Sequence, residues 1–385
     1  MKKSVFLLSV VMALVSCKSS SIFDIEVSNP SDVTHKNSTI EIAWANIIAN
    51  NATVNPNNIV VVNADTCEEL THQIVYHGEE KPQLLIFQVT LEPNESIKLS
   101  VKKGTPQNEP VFKTFGRLVP ERKDDFAWEN DRVAFRMYGP ALALEANPSN
   151  GVDLWLKKTE NLIVDKFYHD DLNNGKSYHE DHGEGLDCYK VGPALGCGGI
   201  APFVNDLLWV GKNFITHEVL DNGPLRTTFR LTYDNLPVED KIFSQTIVIS
   251  IDAGSQFNKA VVSYDGDFTD IKVAAGIFLH DDDNPEGNIK TDVSAGFNAY
   301  GEKAVSDAGI RAGRNYVATV IPDGKMIESL NQQGHILAIA PYKKGDQFTY
   351  YFGGGWSQWG FPIDENWFNY VAEFAAKLQN PLKVN

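Results

Sequence analysis

The side chains able to do chemistry crowd into one stretch. Tyr168 to Gly199 reads YHDDLNNGKSYHEDHGEGLDCYKVGPALGCGG and carries three of the nine histidines of the chain. Tyr178, His179, Glu180, His182 and Glu184 lie close together within it. Burial can bring His and Glu pKa values near neutrality and Tyr can supply a proton, so this set suits general acid–base catalysis. His179, Glu180 and His182 are also metal-ligand types, but the HExxH spacing of zinc helices is absent. A solvated loop held by its own hydrogen bonds is the third reading. The stretch has no strand period and is interleaved with glycine, so it is expected to be one long loop, of the kind that is functional or disordered in compact domains.

A second concentration runs from Trp128 through Glu129, Asn130 and Arg132 to Arg136 and Tyr138. On a strand, Arg132, Arg136 and Tyr138 share one face. Two guanidiniums there must meet acids, either Glu129 and Asp131 in an internal network or the carboxylate of a substrate gripped bidentately. A third, Tyr350 to Gly360, sets Trp356 and Trp359 beside three glycines. Flat indoles suit the apolar faces of sugar rings, and equally suit core packing. With Tyr189, these residues form the candidate binding set. His179 or His182 as base, Tyr178 or Tyr138 as acid and an arginine on a carboxylate are the parts that β-elimination from a uronic sugar requires. Hydrolysis by a carboxylate pair drawn from Glu129, Glu180 and Glu184 stays open. No cofactor is expected. The run Asp281–Asp283 with Asn284 and Glu286 offers oxygen ligands for calcium, without EF-hand spacing.

The elements that must position these groups read as β-structure. Residues 1–17 have two lysines, a short apolar run and Leu14-Val15-Ser16-Cys17, the pattern of an exported lipoprotein whose Cys17 is lipidated. A tether over 18–22 follows. Residues 23–112 carry short alternating strands such as Thr39–Trp44, Asn58–Val62, Leu84–Thr90 and Ile97–Val101, a small Ig-like sandwich. Residues 113–385 carry longer ones, among them Thr227–Tyr233, Gln245–Ile251 and Ala260–Tyr264, without alternating helices, which points to a large antiparallel sandwich. One helix closes the chain: Asp364 is placed to cap it, and Trp367, Val371, Phe374 and Leu378 share a face. Cys188 and Cys197 are either a disulfide or two buried thiols.

The charge excludes one class of partner. With 34 Lys+Arg against 50 Asp+Glu the net charge is −16, and no basic run offers phosphates a footing, so nucleic acid is not expected. No P-loop, dinucleotide-binding glycine fingerprint or GxSxG elbow is present. Membrane attachment is expected through the lipid anchor alone.

Two segments carry a resemblance. Phe115-Gly116-Arg117-Leu118-Val119-Pro120-Glu121-Arg122-Lys123-Asp124-Asp125-Phe126-Ala127-Trp128-Glu129-Asn130-Asp131-Arg132, and Tyr178 to Asp187 continuing through Lys190 and Gly192 to Gly196, resemble the signature of the DUF4861 family. That resemblance implies an exported Bacteroidetes-type protein working among polysaccharide-degrading systems, with uronic sugars as the expected chemistry and no catalytic assignment to carry over. Glu218 to Arg226 and Ile249 to Gly254 are also similar to strands of galactose-mutarotase-like supersandwiches. A carbohydrate enzyme (lyase, hydrolase or epimerase) is the expected function, with a non-catalytic glycan-binding lipoprotein as its rival.

Overall fold

The computed structural model describes residues 20–50, 52–145, 147–280, 287–306 and 309–385. The signal segment, Cys17 and the acidic run 281–286 lie outside the described residues. The protein is mainly β: a small two-sheet sandwich, a large antiparallel supersandwich and a C-terminal helix.

The small sandwich follows from period-two alternation. In His35–Ala43, Ile40 and Ile42 turn inward while Thr39 and Glu41 face away. This strand pairs with Leu84–Leu91, which also pairs with His72–Val75. The opposing sheet comprises Ser21–Ser28, Ser96–Lys103, Ile59–Asn63 and Glu69–Leu70. Ile25, Val27, Val61, Phe87 and Val101 fill the space between. A short helix, α1 (Trp44–Asn50), follows the second strand directly. The far end of the chain completes the first sheet, because Lys383–Val384 pairs with Ser21–Ser28.

Three sheets build the larger part. A front sheet holds Thr114–Val119, Asp125–Asn130, Ala134–Met137, Val152–Lys157 and Gly185–Asp187. A side sheet holds Cys197–Val204, Leu207–Leu208, Asp270–Phe278, Glu328–Gln332 and His335–Lys343. A long sheet of eight strands runs Thr216–Asn222, Arg226–Val238, Lys241–Asp252, Phe257–Asp265, Phe348–Trp356, Arg311–Val320, Phe297–Val305, Asn288–Asp292. One apolar core joins all three: Phe126, Trp128 and Phe135 from the front, Val273 and Ala338 from the side, and Phe229, Ile249, Phe352 and Trp356 from the long sheet. Aromatic stacking ties front to long sheet, with Phe126 and Phe229 rings 4.2 Å apart.

Two helices cover sheet faces. The first, α2 (Val164–Asn174), occupies the start of the stretch expected to be one long loop. Val164, Phe167 and Tyr168 give it an apolar face, and Gly175 ends it in the left-handed conformation at φ 65°. The Asn174-Gly175 pair is therefore a helix stop. The rest of that stretch is irregular, apart from the strands Gly185–Asp187 and Cys197–Val204. The second, α3 (Asp364–Gln379), lays Trp367, Phe368 and Val371 on the outer face of the long sheet, against Phe257, Tyr316 and Ala318. Asp364 does not cap it. Its carboxylate instead grips Arg314, at 2.5 Å to Nε and 2.8 Å to Nη2. Cys188 and Cys197 are buried thiols. Among the described residues no helix is long and apolar enough to cross a membrane.

Trp367 is wholly buried and its indole N–H donates to the Val317 carbonyl at 3.2 Å. Trp367→Ala is expected to cost about 3–5 kcal/mol of unfolding free energy, read from denaturant titration.

Candidate functional site

Alternation on the front sheet sends Phe126, Trp128, Phe135, Leu154, Leu156 and Leu186 into the core. It leaves Asp125, Glu129, Arg136, Asp153, Lys157 and Asp187 on the opposite face, all buried. Helix α2 and the segment 175–184 cover that face, with Trp155, Tyr168 and Tyr178 packed between them.

Arg136 is the centre of this layer. Its Nη2 lies 2.7 Å from Asp153 and 2.8 Å from Asp187, and its Nη1 lies 3.9 Å from Asp125. It also donates to the hydroxyls of Tyr178 at 3.3 Å and Tyr138 at 3.4 Å. The Trp155 ring centroid stands 5.3 Å from the guanidinium. Burial works against its charge, but Asp153 and the other neighbours outweigh it and hold the guanidinium more firmly protonated than usual. Burial, reinforced by Asp153, pushes the Tyr138 phenol well up. A second buried pair lies nearby. Lys157 Nζ is 2.7 Å from Glu129, whose oxygens also accept the backbone N–H groups of Ile163 and Val164 at the start of α2. Burial pushes the Glu129 carboxyl up and the Lys157 ammonium down, and their contact opposes both.

These observations correct several expectations. Arg136 is buried and its Nη2 is held by Asp153 and Asp187, so it has no reach to a ligand carboxylate. Arg132 does not share its strand face, because the strand begins at Ala134 and Arg132 lies in the preceding hairpin turn. Tyr138 and Tyr178 are buried against Arg136 rather than placed at a surface to donate protons. Glu129 belongs to the Lys157 pair. Trp128 is core, its N–H bound to Asn258 at 2.8 Å, and Asn130 shapes the hairpin by accepting the N–H groups of Arg132 and Val133. Tyr189 is buried and its hydroxyl donates to the Phe278 carbonyl at 3.4 Å.

The loop candidates separate. His182 is exposed and its Nε2 faces the Ser177 carbonyl at 3.0 Å. Glu180 is exposed. Glu184 pairs with Lys166, and that hydrogen bond holds its carboxyl below the usual range. His179 is placed differently. Its Nδ1 meets the Asp187 backbone carbonyl at 3.0 Å and the Asp187 carboxylate at 3.6 Å. That fixes the proton on Nδ1 and leaves Nε2 as the basic nitrogen of a ring whose side chain is 35% exposed. Among the described residues no group of three or more His, Cys, Asp or Glu converges as a metal-ligand set.

The end of the sandwich brings the other motifs together. The Arg132 guanidinium stands 5.8 Å over the half-buried Trp359 ring and 3.2 Å from the exposed Glu160. Trp359 bridges back to Trp356, which is buried, with its indole N–H on the Ala312 carbonyl at 2.5 Å. Lys158 Nζ lies 5.6 Å over the Trp356 ring and is paired with Asp181 of the loop. Thus Arg132, Trp359, Lys158 and Asp181 form one rim. Lys158 and Glu160 escaped the sequence reading, since nothing marks them until the strand Val152–Lys157 is seen to end beside the indoles.

A further group escaped it too. Glu302, Asn315 and Trp356 are cross-strand neighbours on the long sheet. Glu302 receives the Asn315 amide at 3.0 Å and sits 2.9 Å from His280 Nδ1. His280 Nε2 faces the Lys190 carbonyl at 2.6 Å, and the Tyr189 ring packs edge-on. With an acceptor at each nitrogen, the surroundings favour the doubly protonated ring. Burial disfavours its charge, but Glu302 outweighs that and raises its pKa.

A family profile described as "Domain of unknown function (DUF4861)" matches residues 27–384. "Uncharacterized protein P7" of Formosa agariphila is 32% identical over 378 residues, covering 94% of this chain and 92% of that protein. Among solved structures, an alpha-mannosidase from Enterococcus faecalis V583 is similar in fold, with a TM-score of 0.50 at 9% identity. The match covers 95% of this chain but spans only 46% of that one.

Two outcomes are expected. Lys157→Met leaves the Glu129 carboxyl buried without its cation and should cost about 3–5 kcal/mol in chemical denaturation. The His280 pKa is raised on folding, so its pairing stabilises below the ordinary histidine pKa and loses that effect as pH rises through the folded value. A melting-temperature profile from pH 5 to 9 should therefore fall on the alkaline side in the native chain, and His280→Gln should flatten that fall.

Proposed function

This chain belongs to the DUF4861 family, and we propose that it is an exported, Cys17-anchored carbohydrate enzyme acting on a uronate-bearing glycan across the loop 177–184. The carrying observation is the Arg132 guanidinium poised over the Trp359 ring at the sandwich rim. The Arg132 cation offers a charge for the carboxylate of a uronic sugar, and the indole beneath it offers a flat surface for an apolar ring face. Support for a sugar substrate also comes from the supersandwich fold, by analogy with the mannosidase, and fold alone does not carry function.

His179 supplies the base. Asp187 orients its Nδ1–H and leaves Nε2 to take the proton beside the uronate carboxylate. The freed electron pair forms the C=C bond, the glycosidic C–O bond breaks, and the leaving oxygen takes a proton from water. Arg132 stabilises the charge that develops on the carboxylate. The buried Arg136 layer holds Asp187 in place beneath the histidine.

Incubation with uronate oligosaccharides should produce ultraviolet absorbance from the new conjugated double bond. His179→Ala is expected to lower kcat about 10²–10⁴-fold with an unchanged melting temperature. Arg132→Ala should raise KM on charged sugars and leave neutral ones alone. Tight binding with unaltered substrate would replace the enzyme with a glycan-binding lipoprotein.

A further inference from the structure

A cleft of about 540 Å³ lies between the small sandwich, the outer face of the long sheet and α3. Its volume falls in the range of small-ligand sites, and it sits at a junction between two sandwiches, where such sites recur. Its lining runs against the charge of the molecule. The chain carries −16, yet Lys36, Lys259 and Lys377 all face this cleft.

The two acids that line it are already engaged. Arg226, itself buried, holds Asp252 at 2.5 and 2.8 Å and Glu41 at 2.5 Å. That triad also bridges the sandwiches, since Glu41 belongs to the small one. Among the described residues no carboxylate lies within 4.0 Å of Lys36, Lys259 or Lys377. Burial holds the Lys377 ammonium below its usual range, the nearby Glu373 opposes this, and the charge of Lys36 adds to the depression. Lys36 and Lys377 therefore repel one another across a half-enclosed space, while Lys259 faces the Glu41 and Asp252 carboxylates, and an anion beside the first two removes their repulsion. The rest of the wall is mixed, with Ser38, Thr39 and Ser255 beside Leu378 and Leu382, and it includes three aromatic residues. Tyr351 packs edge-on against Phe374 at 5.4 Å, and Tyr370 lies alongside on the same helix.

We propose that this cleft is a second saccharide-binding site, for a short oligosaccharide carrying carboxylate or sulfate groups. The lysines meet the anionic groups and the aromatic residues meet the ring faces. The saccharide part of this assignment rests on the carbohydrate reading above; the anion part stands on the lysines alone. Neither Arg132 nor Trp359 of the rim lines this site, which does no chemistry. It holds the glycan while the rim works on it.

The test is calorimetric titration of the full chain with a tri-uronate, a sulfated trisaccharide and a neutral trisaccharide, on the native protein, Lys36→Gln/Lys377→Gln and Arg132→Ala. Circular dichroism melts check that each variant is folded. The native protein should bind a charged probe at two sites and weaken with added salt. The lysine double variant should lose one site, weakened roughly ten-fold or more, and keep turnover. Arg132→Ala should lose the other. Uronate and sulfated probes distinguish which anion the cleft takes. A single event lost only in the lysine variant upholds the cleft and overturns the rim. An event lost only in Arg132→Ala overturns the cleft, as does equal affinity for the neutral probe or no binding of any probe.

Discussion

A guanidinium shut away from water sets the terms for the front sheet. Removing Arg136 from solvent costs several kcal/mol unless anions surround it, and those anions come from three other strands of the sheet. Asp125, Asp153 and Asp187 must therefore stand level with it, which ties strand register to charge as well as to apolar packing. A sheet face this charged also has to be roofed. Helix α2 and the segment after it do so, and Glu129 fastens the start of α2 through two backbone N–H groups. Both segments that carry the family resemblance feed this layer, the first through Asp125 and Glu129, with Arg122 3.0 Å from Asp125, and the second through Tyr178 and Asp187.

Much of the architecture was legible because period-two alternation is a local property. The strands around Ile40, Ile249 and Val262 could be read directly, and so could the apolar face of α3. Helix α2 was hidden by its composition: VDKFYHDDLNN looks like a loop until Val164, Phe167 and Tyr168 find a sheet to cover. The role of Arg136 was not legible, because Asp153 and Asp187 are separated from it along the chain and only strand pairing brings them close. The same holds for His280, just beyond the side-sheet strand Asp270–Phe278, and Glu302 on the long sheet. Arg132 and Trp359 were legible as types, and their meeting was not, because it depends on how the end of the front sheet approaches the long one.

The two sandwiches are joined by directional polar contacts beside an apolar cluster of Val75, Ile86, Leu225 and Ala253. Gln73 reaches from the small one to accept the N–H groups of Leu225 and Arg226 at 2.9 and 2.8 Å and to donate to the Arg226 carbonyl at 2.9 Å. Asp221 accepts the Tyr76 and His77 N–H groups from the opposite direction. Hydrogen bonds of this kind fix orientation because they are directional. The junction is thereby rigid at one side and open at the other, where the lysine-lined cleft lies.

The pairing of Val27 with Val384 has a kinetic meaning. It joins the two most distant parts of the described chain, so the entropy of closing that loop must be met before the contact returns anything. The edge strand Ser21–Ser28 accordingly waits longest for its outer neighbour. During that interval its backbone N–H and C=O groups are a template for any other extended chain. The arrival of the tail closes that edge at Glu26, Val27 and Ser28.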